Sequence, residues 1–458
     1  MSANSKPFYF ILATFLIVLL LSFLGSTFRV FGIDIKNINI ISDLFPEEVV
    51  DSTQIAVQVP VIIDSIPIPY DFRVSDAIIG YEKGATMKAF IKAMHELSEG
   101  KRKKVRIGYF GDSMIEGDLL TQDIRKLLQD YFGGNGVGFV PITSIVAGFR
   151  QSISHSFSEN WNESNFLNSK GYNGNLYLSG HTFRPSESSY VSYSAVKYSH
   201  LNSFPETYLL YGKNDSISTF TINDSVLKYE NHDIFNRQLV SMNTSRVQAR
   251  FNGSGNTLFG FSFESQRGIF VDNLSFRGIS GIELQRLSPA LLHSVNATQP
   301  YDLIVIQYGP NLLFKPELLD FSWYEKPIKN AILAIKDAFP DASILIVGSA
   351  DKSCRYDGEY RTQKGVLPLI EVQNQVAFET NSNFWNLYNA MGGRNSMIRW
   401  VNSDPPLANL DYTHLTHKGA TQVAKILYDK IMQVYDPEAS SRTKIQPIVR
   451  YVTATRGL

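Results

Sequence analysis

A serine and a histidine near opposite ends of the chain have the neighbouring residues that nucleophilic catalysis requires. Gly111-Asp112-Ser113 directly follows an apolar run. Asp411-x-x-His414 lies near the other end, and its spacing lets the carboxylate orient the imidazole on one turn. His414 would then take the hydroxyl proton of Ser113, while Asp411 stabilises the imidazolium. Either motif alone also fits a simple turn, but together they predict acyl transfer at Ser113.

Two turns between these motifs carry the donors that a tetrahedral oxyanion needs. The turn 278–281 follows a strand-like run and ends in Gly281. The turn 309–311 follows another buried run and ends in Asn311. A glycine backbone N–H and an asparagine side-chain amide are suitable oxyanion donors. We therefore include Gly281 and Asn311 in the candidate site.

Two other chemistries use some of the same residue types. Asp411, His414 and His417 are possible metal ligands by type, but no further His or Glu with ligand spacing accompanies them. The glycine-rich stretch 134–138 resembles a phosphate-binding loop, but it follows a predicted helix rather than a strand. The serine interpretation explains more residues, and no metal or organic cofactor is expected.

The elements that must position these residues alternate between strands and helices. The run 105–110 predicts a buried strand, and 118–131 predicts a helix with one apolar face. Further strands are predicted at 303–308 and 343–347, and further helices at 87–97, 327–339, 366–380 and 418–434. This alternation predicts a doubly wound α/β domain with a parallel sheet, in which sites form at the carboxyl ends of the strands.

The α/β pattern is interrupted between about 140 and 275. Short alternating runs occur there at 217–222, 247–251 and 258–263. The last two are separated by the turn residues 252–256, which predict a hairpin. We therefore expect an inserted antiparallel, sandwich-like β-module, and carbohydrate binding is one hypothesis for it.

The N-terminal segment predicts a membrane anchor. Residues 8–24 form a nearly unbroken apolar run, which spans roughly 26 Å at ~1.5 Å per residue. Lys6 precedes the run and favours a cytoplasmic N-terminus. A cleaved signal peptide is the alternative, but bulky Leu24 weakens the small-residue cleavage site. A transmembrane helix in the inner membrane, with the catalytic part on the periplasmic or extracytoplasmic side, is therefore expected.

Composition narrows the class of protein. The 458 residues allow more than one folded unit. The 43 basic residues are balanced by 43 acidic ones, without the basic excess of a nucleic-acid-binding protein. Cys354 is the only cysteine, which excludes an internal disulfide. The predicted segments are a cytoplasmic tip with the anchor (1–25), a stalk (26–82), the first part of the α/β domain (83–145), the β-module (146–275), the second part of the α/β domain (276–436) and a tail (437–458).

The candidate motifs resemble a known family when they are taken as a set. Gly111-Asp112-Ser113, Gly281, Gly309-x-Asn311 and Asp411-x-x-His414 match the four blocks of the SGNH (GDSL) hydrolases in type and order. The resemblance implies a flavodoxin-like, three-layer fold. It also implies Ser113 as nucleophile, Asp411 and His414 as the other triad members, and the Ser113 N–H, the Gly281 N–H and the Asn311 amide as oxyanion donors. Leu312 is a departure, because many members have Asp at that position.

Within this family the chain resembles bacterial extracytoplasmic esterases that deacetylate peptidoglycan more closely. The similar segments are 111–129, 133–139, 350–353, 390–393 with Trp400, and 411–420. The resemblance implies an O-acetylesterase with an acetylated polysaccharide as its partner. A polysaccharide O-acetyltransferase with the same catalytic residues, or a non-catalytic carbohydrate-binding protein on a hydrolase fold, remain the alternatives.

Overall fold

The computed structural model describes residues 28–30, 33–35 and 72–437, with gaps at 170–171, 214–217, 231–232 and 254. The chain divides into two units, Met1–Pro67 and Ile68–Leu458. In the first unit, two short strands pair antiparallel, with Phe28 opposite Ile35. The predicted anchor at 8–24 lies outside the described residues. Within the described ranges, no helix has both the length and the apolar composition needed to cross a bilayer.

Strands and helices are numbered here in chain order. The strands are β1 Phe28–Val30, β2 Ile33–Ile35, β3 Ile78–Gly80, β4 Lys104–Gly111, β5 Gly138–Pro141, β6 Ser154–Phe157, β7 Trp161–Asn165, β8 His181–Pro185, β9 Ser189–Ser194, β10 Phe204–Gly212, β11 Thr219–Ile222, β12 Ser225–Lys228, β13 Phe235–Thr244, β14 Arg246–Phe251, β15 Leu258–Glu264, β16 Gly268–Ser275, β17 Leu303–Gln307, β18 Ser343–Gly348, β19 Ser353–Tyr356, β20 Glu359–Thr362 and β21 Asn383–Asn386. The α-helices are α1 Lys88–Ser98, α2 Thr121–Phe132, α3 Pro289–Thr298, α4 Ser322–Ala338, α5 Val366–Glu379, α6 Leu387–Ala390, α7 Ser396–Val401 and α8 His417–Tyr435, and 3-10 turns lie at Glu116–Asp118 and Ile282–Arg286.

The central sheet has the predicted parallel arrangement. Its order is β16-β4-β17-β18-β21-β3, and only the edge strand β3 runs antiparallel. The five parallel strands, counted along the chain from β4, follow the flavodoxin-like order 2-1-3-4-5. Gly111 at the end of β4 is in register with Ser275 and with Gln307. The loops that leave these three strands therefore start at the same edge.

Alternating side chains of the central strands fill two separate cores. On one face, Ile107 and Val305 belong to a buried cluster that includes residues of α1, α2 and α8. On the other face, Phe110 and Ile304 belong to a cluster with residues of α3, α4 and α5. A parallel strand covered by helices on both faces must be apolar on both sides, which explains the continuous apolar runs. The predicted three-layer organisation is confirmed.

The predicted antiparallel β-module is also present. One of its sheets has the order β13-β10-β15-β8-β7, with β5 paired to β15, and the other has the order β12-β11-β14-β9-β6. Leu209 and Phe261 of the first sheet share a buried cluster with Val191 and Val247 of the second. Two antiparallel sheets that bury their inner faces against each other form a sandwich.

Three assignments from the sequence are corrected. The run that starts at 268 was placed in the β-module, but β16 pairs in parallel with β4. The stalk was predicted to reach residue 82, yet Phe72 is buried and β3 belongs to the central sheet. The predicted hairpin of 247–251 with 258–263 does not form, because β14 and β15 lie in different sheets. Apolar runs and turn residues mark strands without specifying their partners.

A buried ionic network joins the central sheet to the β-module. Arg106 of β4 lies 2.7 Å from Glu264 of β15 and 3.0 Å from Asp272 of β16. Glu264 is also paired with Lys104 at 3.0 Å and with Arg237 at 2.8 Å. Burial opposes the ionisation of Glu264, but these three cations outweigh it and hold its pKa well below the usual range. The Glu264 carboxylate is therefore charged, and its charge is stabilised by these three cations.

Candidate active site

The candidate nucleophile lies just beyond the carboxyl end of β4. Ser113 follows Gly111 by two residues, and the 3-10 turn Glu116–Asp118 separates it from α2. The sequence had predicted that the helix itself starts at 118. Ser113 is partly buried, and its hydroxyl oxygen lies 2.9 Å from Nε2 of His414. The two residues are 301 positions apart in the chain, so the fold brings them together.

His414 is held between the serine and a carboxylate. Its Nδ1 lies 2.7 Å from Oδ2 of Asp411, and its backbone N–H donates to Oδ1 of the same carboxylate at 3.0 Å. A carboxylate only accepts hydrogen bonds, so Nδ1 carries the proton and Nε2 accepts from the hydroxyl of Ser113. This is the tautomer that a general base for serine requires.

Asp411 is ionised in this arrangement. Burial disfavours its charge, but hydrogen bonds from the backbone N–H and imidazole of His414 and from the backbone N–H of Thr413 lower its pKa. About half of the Asp411 side chain, and 39% of that of His414, remain exposed. Solvent therefore has access to the base.

Asn311 is oriented by two acceptors. Its side-chain amide donates to the carbonyl oxygen of Ile279 at 2.8 Å and to Oδ2 of Asp112 at 3.2 Å. The amide oxygen cannot occupy this position, because it would face two other acceptors. To donate to an oxyanion, the Asn311 amide must share or give up one of these two hydrogen bonds. The bond to Asp112 is the longer and therefore the weaker of the two.

Asp112 is a site residue to which the sequence analysis gave no role. It is fully buried, and its Oδ1 accepts the backbone N–H of Met114 at 2.9 Å. Burial raises the pKa of Asp112 to about 6, although hydrogen bonds from the backbone N–H groups of Met114 and Gly309 oppose this rise. Its position next to the nucleophile within the Gly-Asp-Ser motif was the signal that could have identified it.

Gly281 lies on the turn that also supplies the acceptor for Asn311. It precedes the 3-10 turn Ile282–Arg286 and has a φ of 94°, which favours glycine. A Cβ at this position would lie 2.5 Å from the Tyr308 ring. The turn therefore packs against the end of β17, next to the residues that lead to Asn311.

Lys352 supports the loop that carries Asn311. Its ammonium group donates to the carbonyl oxygens of Pro310 at 3.0 Å and Leu313 at 2.8 Å. Burial lowers the pKa of Lys352. In the sequence this residue is recognisable only as part of a similar segment, and the structure places it against the loop of Asn311.

One of the other similar segments contacts the Asp411–His414 turn, and the rest are joined by hydrogen bonds of their own. Ser353 donates its backbone N–H to the carbonyl oxygen of Tyr412 at 3.1 Å. Asp351 is buried and accepts the backbone N–H of Met397, at the start of α7, at 2.8 Å. Trp400 of the same helix donates its indole N–H to the carbonyl oxygen of Met391 at 3.1 Å. The resemblance therefore covers supporting residues as well as the motifs themselves.

The residues considered for the two alternative chemistries have other contacts in the structure. Both ring nitrogens of His414 are engaged by Ser113 and Asp411, and the His417 ring stacks on Phe149. In the part of the chain that the structure describes, no group of three or more His, Cys, Asp or Glu side chains is arranged around a metal position. The stretch 134–138 lies between α2 and the start of β5, where its glycines approach β15 and β16 closely.

Replacing Asn311 with alanine tests its assigned role. If its amide stabilises the transition state, kcat should fall by ~10²–10³-fold with little change in KM. Steady-state kinetics on an activated acetyl ester would measure both constants. Thermal unfolding serves as the control, because the variant also loses the bond to Ile279. An unchanged kcat would show that Asn311 is not an oxyanion donor.

Replacing Asp112 with asparagine tests the buried carboxyl group. Its pKa rises from about 4 in an unfolded chain to about 6 in the fold, so the folded state binds this proton more tightly. This group therefore makes the stability fall as pH rises from about 4 to about 6, and the variant should lack that component. Urea unfolding of both proteins across this range would measure it. A pH-independent difference in stability would contradict the shift.

Comparison with known proteins finds solved structures that are similar to this chain. A solved structure of a peptidoglycan O-acetylesterase aligns with 78% of this chain and 99% of its own, with a TM-score of 0.65 and 20% identity. A family two carbohydrate esterase from Cellvibrio japonicus covers 62% of this chain and 98% of its own at 10% identity, but its TM-score is only 0.26. No family model and no curated protein matches the chain. The first alignment, together with the geometry around Ser113, confirms the resemblance to the SGNH hydrolases at the level of the fold.

Proposed function

We propose that this chain is a serine esterase that removes O-acetyl groups from a cell-envelope polysaccharide, namely peptidoglycan. The observation that supports it most is the hydrogen-bonded series Ser113, His414 and Asp411 at the carboxyl edge of the parallel sheet. The similar fold of a peptidoglycan O-acetylesterase supports the choice of substrate.

The first step forms an acyl-enzyme. The Ser113 oxygen attacks the acetyl carbonyl carbon while Nε2 of His414 takes its proton, and Asp411 stabilises the imidazolium. The carbonyl oxygen becomes an oxyanion, which the Ser113 N–H, the Gly281 N–H and the Asn311 amide stabilise in this proposal. His414 then protonates the departing sugar oxygen as the C–O bond breaks, so the sugar leaves as an alcohol.

The second step returns the enzyme to its starting state. Water attacks the acetyl carbon, His414 takes its proton, and the same donors stabilise the second oxyanion. The Ser113 oxygen leaves and regains a proton from His414, and acetate is released. His414 is 39% exposed, so water can reach the acyl-enzyme and act as the acceptor in this proposal.

Acetate release by the purified full chain tests this proposal. We expect acetate from O-acetylated peptidoglycan, with acetylated xylan as the comparison polymer and Ser113→Ala as the control. Release from xylan alone would retain the chemistry and reject the substrate. No release from either polymer or from p-nitrophenyl acetate would reject the esterase. In that case glycan binding without turnover would favour the non-catalytic alternative, and acetyl transfer to a sugar hydroxyl would favour the transferase.

We also propose that the catalytic part lies outside the cytoplasmic membrane, anchored in the inner membrane by residues 8–24. The apolar run and the preceding Lys6 support this placement. Protease added to intact spheroplasts should then degrade the catalytic part. Complete protection until the cells are lysed would contradict the proposal.

A further inference from the structure

A loop of the β-module places an exposed aromatic ring against His417, three residues after the candidate base. Residues 142–153 connect β5 to β6, and Phe149 within this loop is 48% exposed. Its ring stacks on that of His417, with centroids 4.8 Å apart and planes 25° apart. His417 is the first residue of α8 and follows His414 by three positions. The ring is thus attached to the segment that carries the base.

The same ring also packs against the segment that carries the nucleophile. Gly117 lies in the 3-10 turn after Ser113 and has a φ of 70°. A Cβ at Gly117 would lie 2.8 Å from Cδ1 of Phe149, so only glycine leaves room for the ring. Phe149 therefore lies between the chain segment that follows Ser113 and the helix that follows His414.

A buried ion pair holds the loop in place. A guanidinium nitrogen of Arg150 lies 3.3 Å from Oδ2 of Asp118, and Nε of Arg150 donates to Ser152 at 2.9 Å. Asp118 is fully buried and also accepts two bonds of 2.7 Å from Arg125. Burial opposes its ionisation, but the two guanidinium groups outweigh it and lower the pKa of Asp118. The loop position, and with it the ring, is therefore fixed before any ligand binds.

We propose that Phe149, backed by His417, is a sugar-binding platform that holds a glycan ring next to the residue whose ester is attacked. The class of ligand rests on the proposed function. A rigid aromatic face offers the C–H-rich face of a pyranose a flat apolar surface at little cost in conformational entropy. The β-module thus contributes a residue to the substrate site, in addition to any binding elsewhere on its surface.

The test compares a polymer with a small ester. For Phe149→Ala, the ratio of kcat/KM on O-acetylated peptidoglycan to kcat/KM on p-nitrophenyl acetate should fall by about tenfold. Phe149→Trp should keep the ratio close to that of the natural chain, whereas Phe149→Leu should lower it. The matched control is Tyr198→Ala, which removes another exposed aromatic ring of the β-module and should leave the ratio unchanged. An unchanged ratio in Phe149→Ala would overturn the platform.

A binding measurement separates this inference from the proposed function. Soluble peptidoglycan glycan strands are titrated into full-length Ser113→Ala and into Ser113→Ala combined with Phe149→Ala, after thermal unfolding has shown that both are folded. About tenfold weaker binding by the double variant supports the platform. If strands bind in this Phe149-dependent way but the natural chain releases no acetate, the esterase proposal fails and the platform remains. Equal binding by the two variants would reject the platform whether or not acetate is released.

Discussion

Replacing Ser113 with alanine is expected to lower kcat by roughly six orders of magnitude, because a catalytic triad acts as a unit. The variant loses the hydroxyl oxygen that lies 2.9 Å from Nε2 of His414 and so cannot form the acyl-enzyme. The remaining oxyanion donors should leave a residual rate about 10³–10⁴-fold above that in water. Acetate release and p-nitrophenyl acetate hydrolysis would both measure the loss.

Comparing single and double variants tests whether Ser113 and His414 act as one unit. His414→Ala should cost about as much as Ser113→Ala, and the double variant should be no slower than either single one. Thermal unfolding provides the control for folding, since Ser113 is only partly buried. Activity retained in Ser113→Ala, or losses that add in the double variant, would show that the reaction does not proceed through a serine acyl-enzyme.

Replacing Arg106 with methionine should destabilise the fold by about 3–5 kcal/mol at neutral pH, because it removes a cationic partner from each of two buried carboxylates. Glu264 and Asp272 are both fully buried and both lie within 3.0 Å of the guanidinium group. Methionine preserves much of the apolar packing of the arginine stem, so the loss reports the charge. Urea unfolding at pH 7 would measure it.

The pH dependence of this loss identifies its cause. The pKa of Glu264 is depressed in the fold, so its stabilising contribution is present above about pH 4.5 and is lost as the pH falls through the folded value. Without Arg106 the folded pKa of Glu264 rises, so the variant unfolds in acid at a higher pH. The difference in stability should then narrow in acid, because Glu264 becomes protonated in the folded variant at a higher pH than in the folded natural chain.

A matched exposed pair provides the comparison. Arg361 lies 3.0 Å from Glu359, but their side chains are 45% and 75% exposed. Arg361→Met should therefore cost less than about 1 kcal/mol, because water screens the pair. If Arg106→Met cost no more than this, the buried network would not stabilise the junction between the sheet and the β-module.

The local patterns were sufficient for three of the six strands of the central sheet and for the candidate triad. The predicted strands at 105–110, 303–308 and 343–347 correspond to β4, β17 and β18. Apolar periodicity, caps and turn residues depend on near neighbours in the chain, and this is why they can be recognised without a structure. The motifs around Ser113 and His414 depend on the same short spacings.

These local patterns could not predict which strands pair when the strands are distant in the chain. The composition of β16 fits a strand of the β-module as well as a strand of the parallel sheet. Only its pairing with β4 assigns it to the parallel sheet. Likewise, the turn residues 252–256 show that the chain changes direction, but they do not show whether the flanking strands pair. In the structure, β14 and β15 lie in different sheets. Which strand lies next to which is decided by burial over the whole domain.

For this protein, the sequence alone determined the elements, their order and the residue types available for acyl transfer. The tertiary structure decided how those residues are held. Asp112 contacts Asn311, although the two residues are 199 positions apart, and Lys352 supports the loop of Asn311. Phe149 of the β-module packs against His417. The pKa of a buried acid or lysine, and the packing of an aromatic ring, depend on neighbours. Only the folded chain brings those neighbours within a few ångströms.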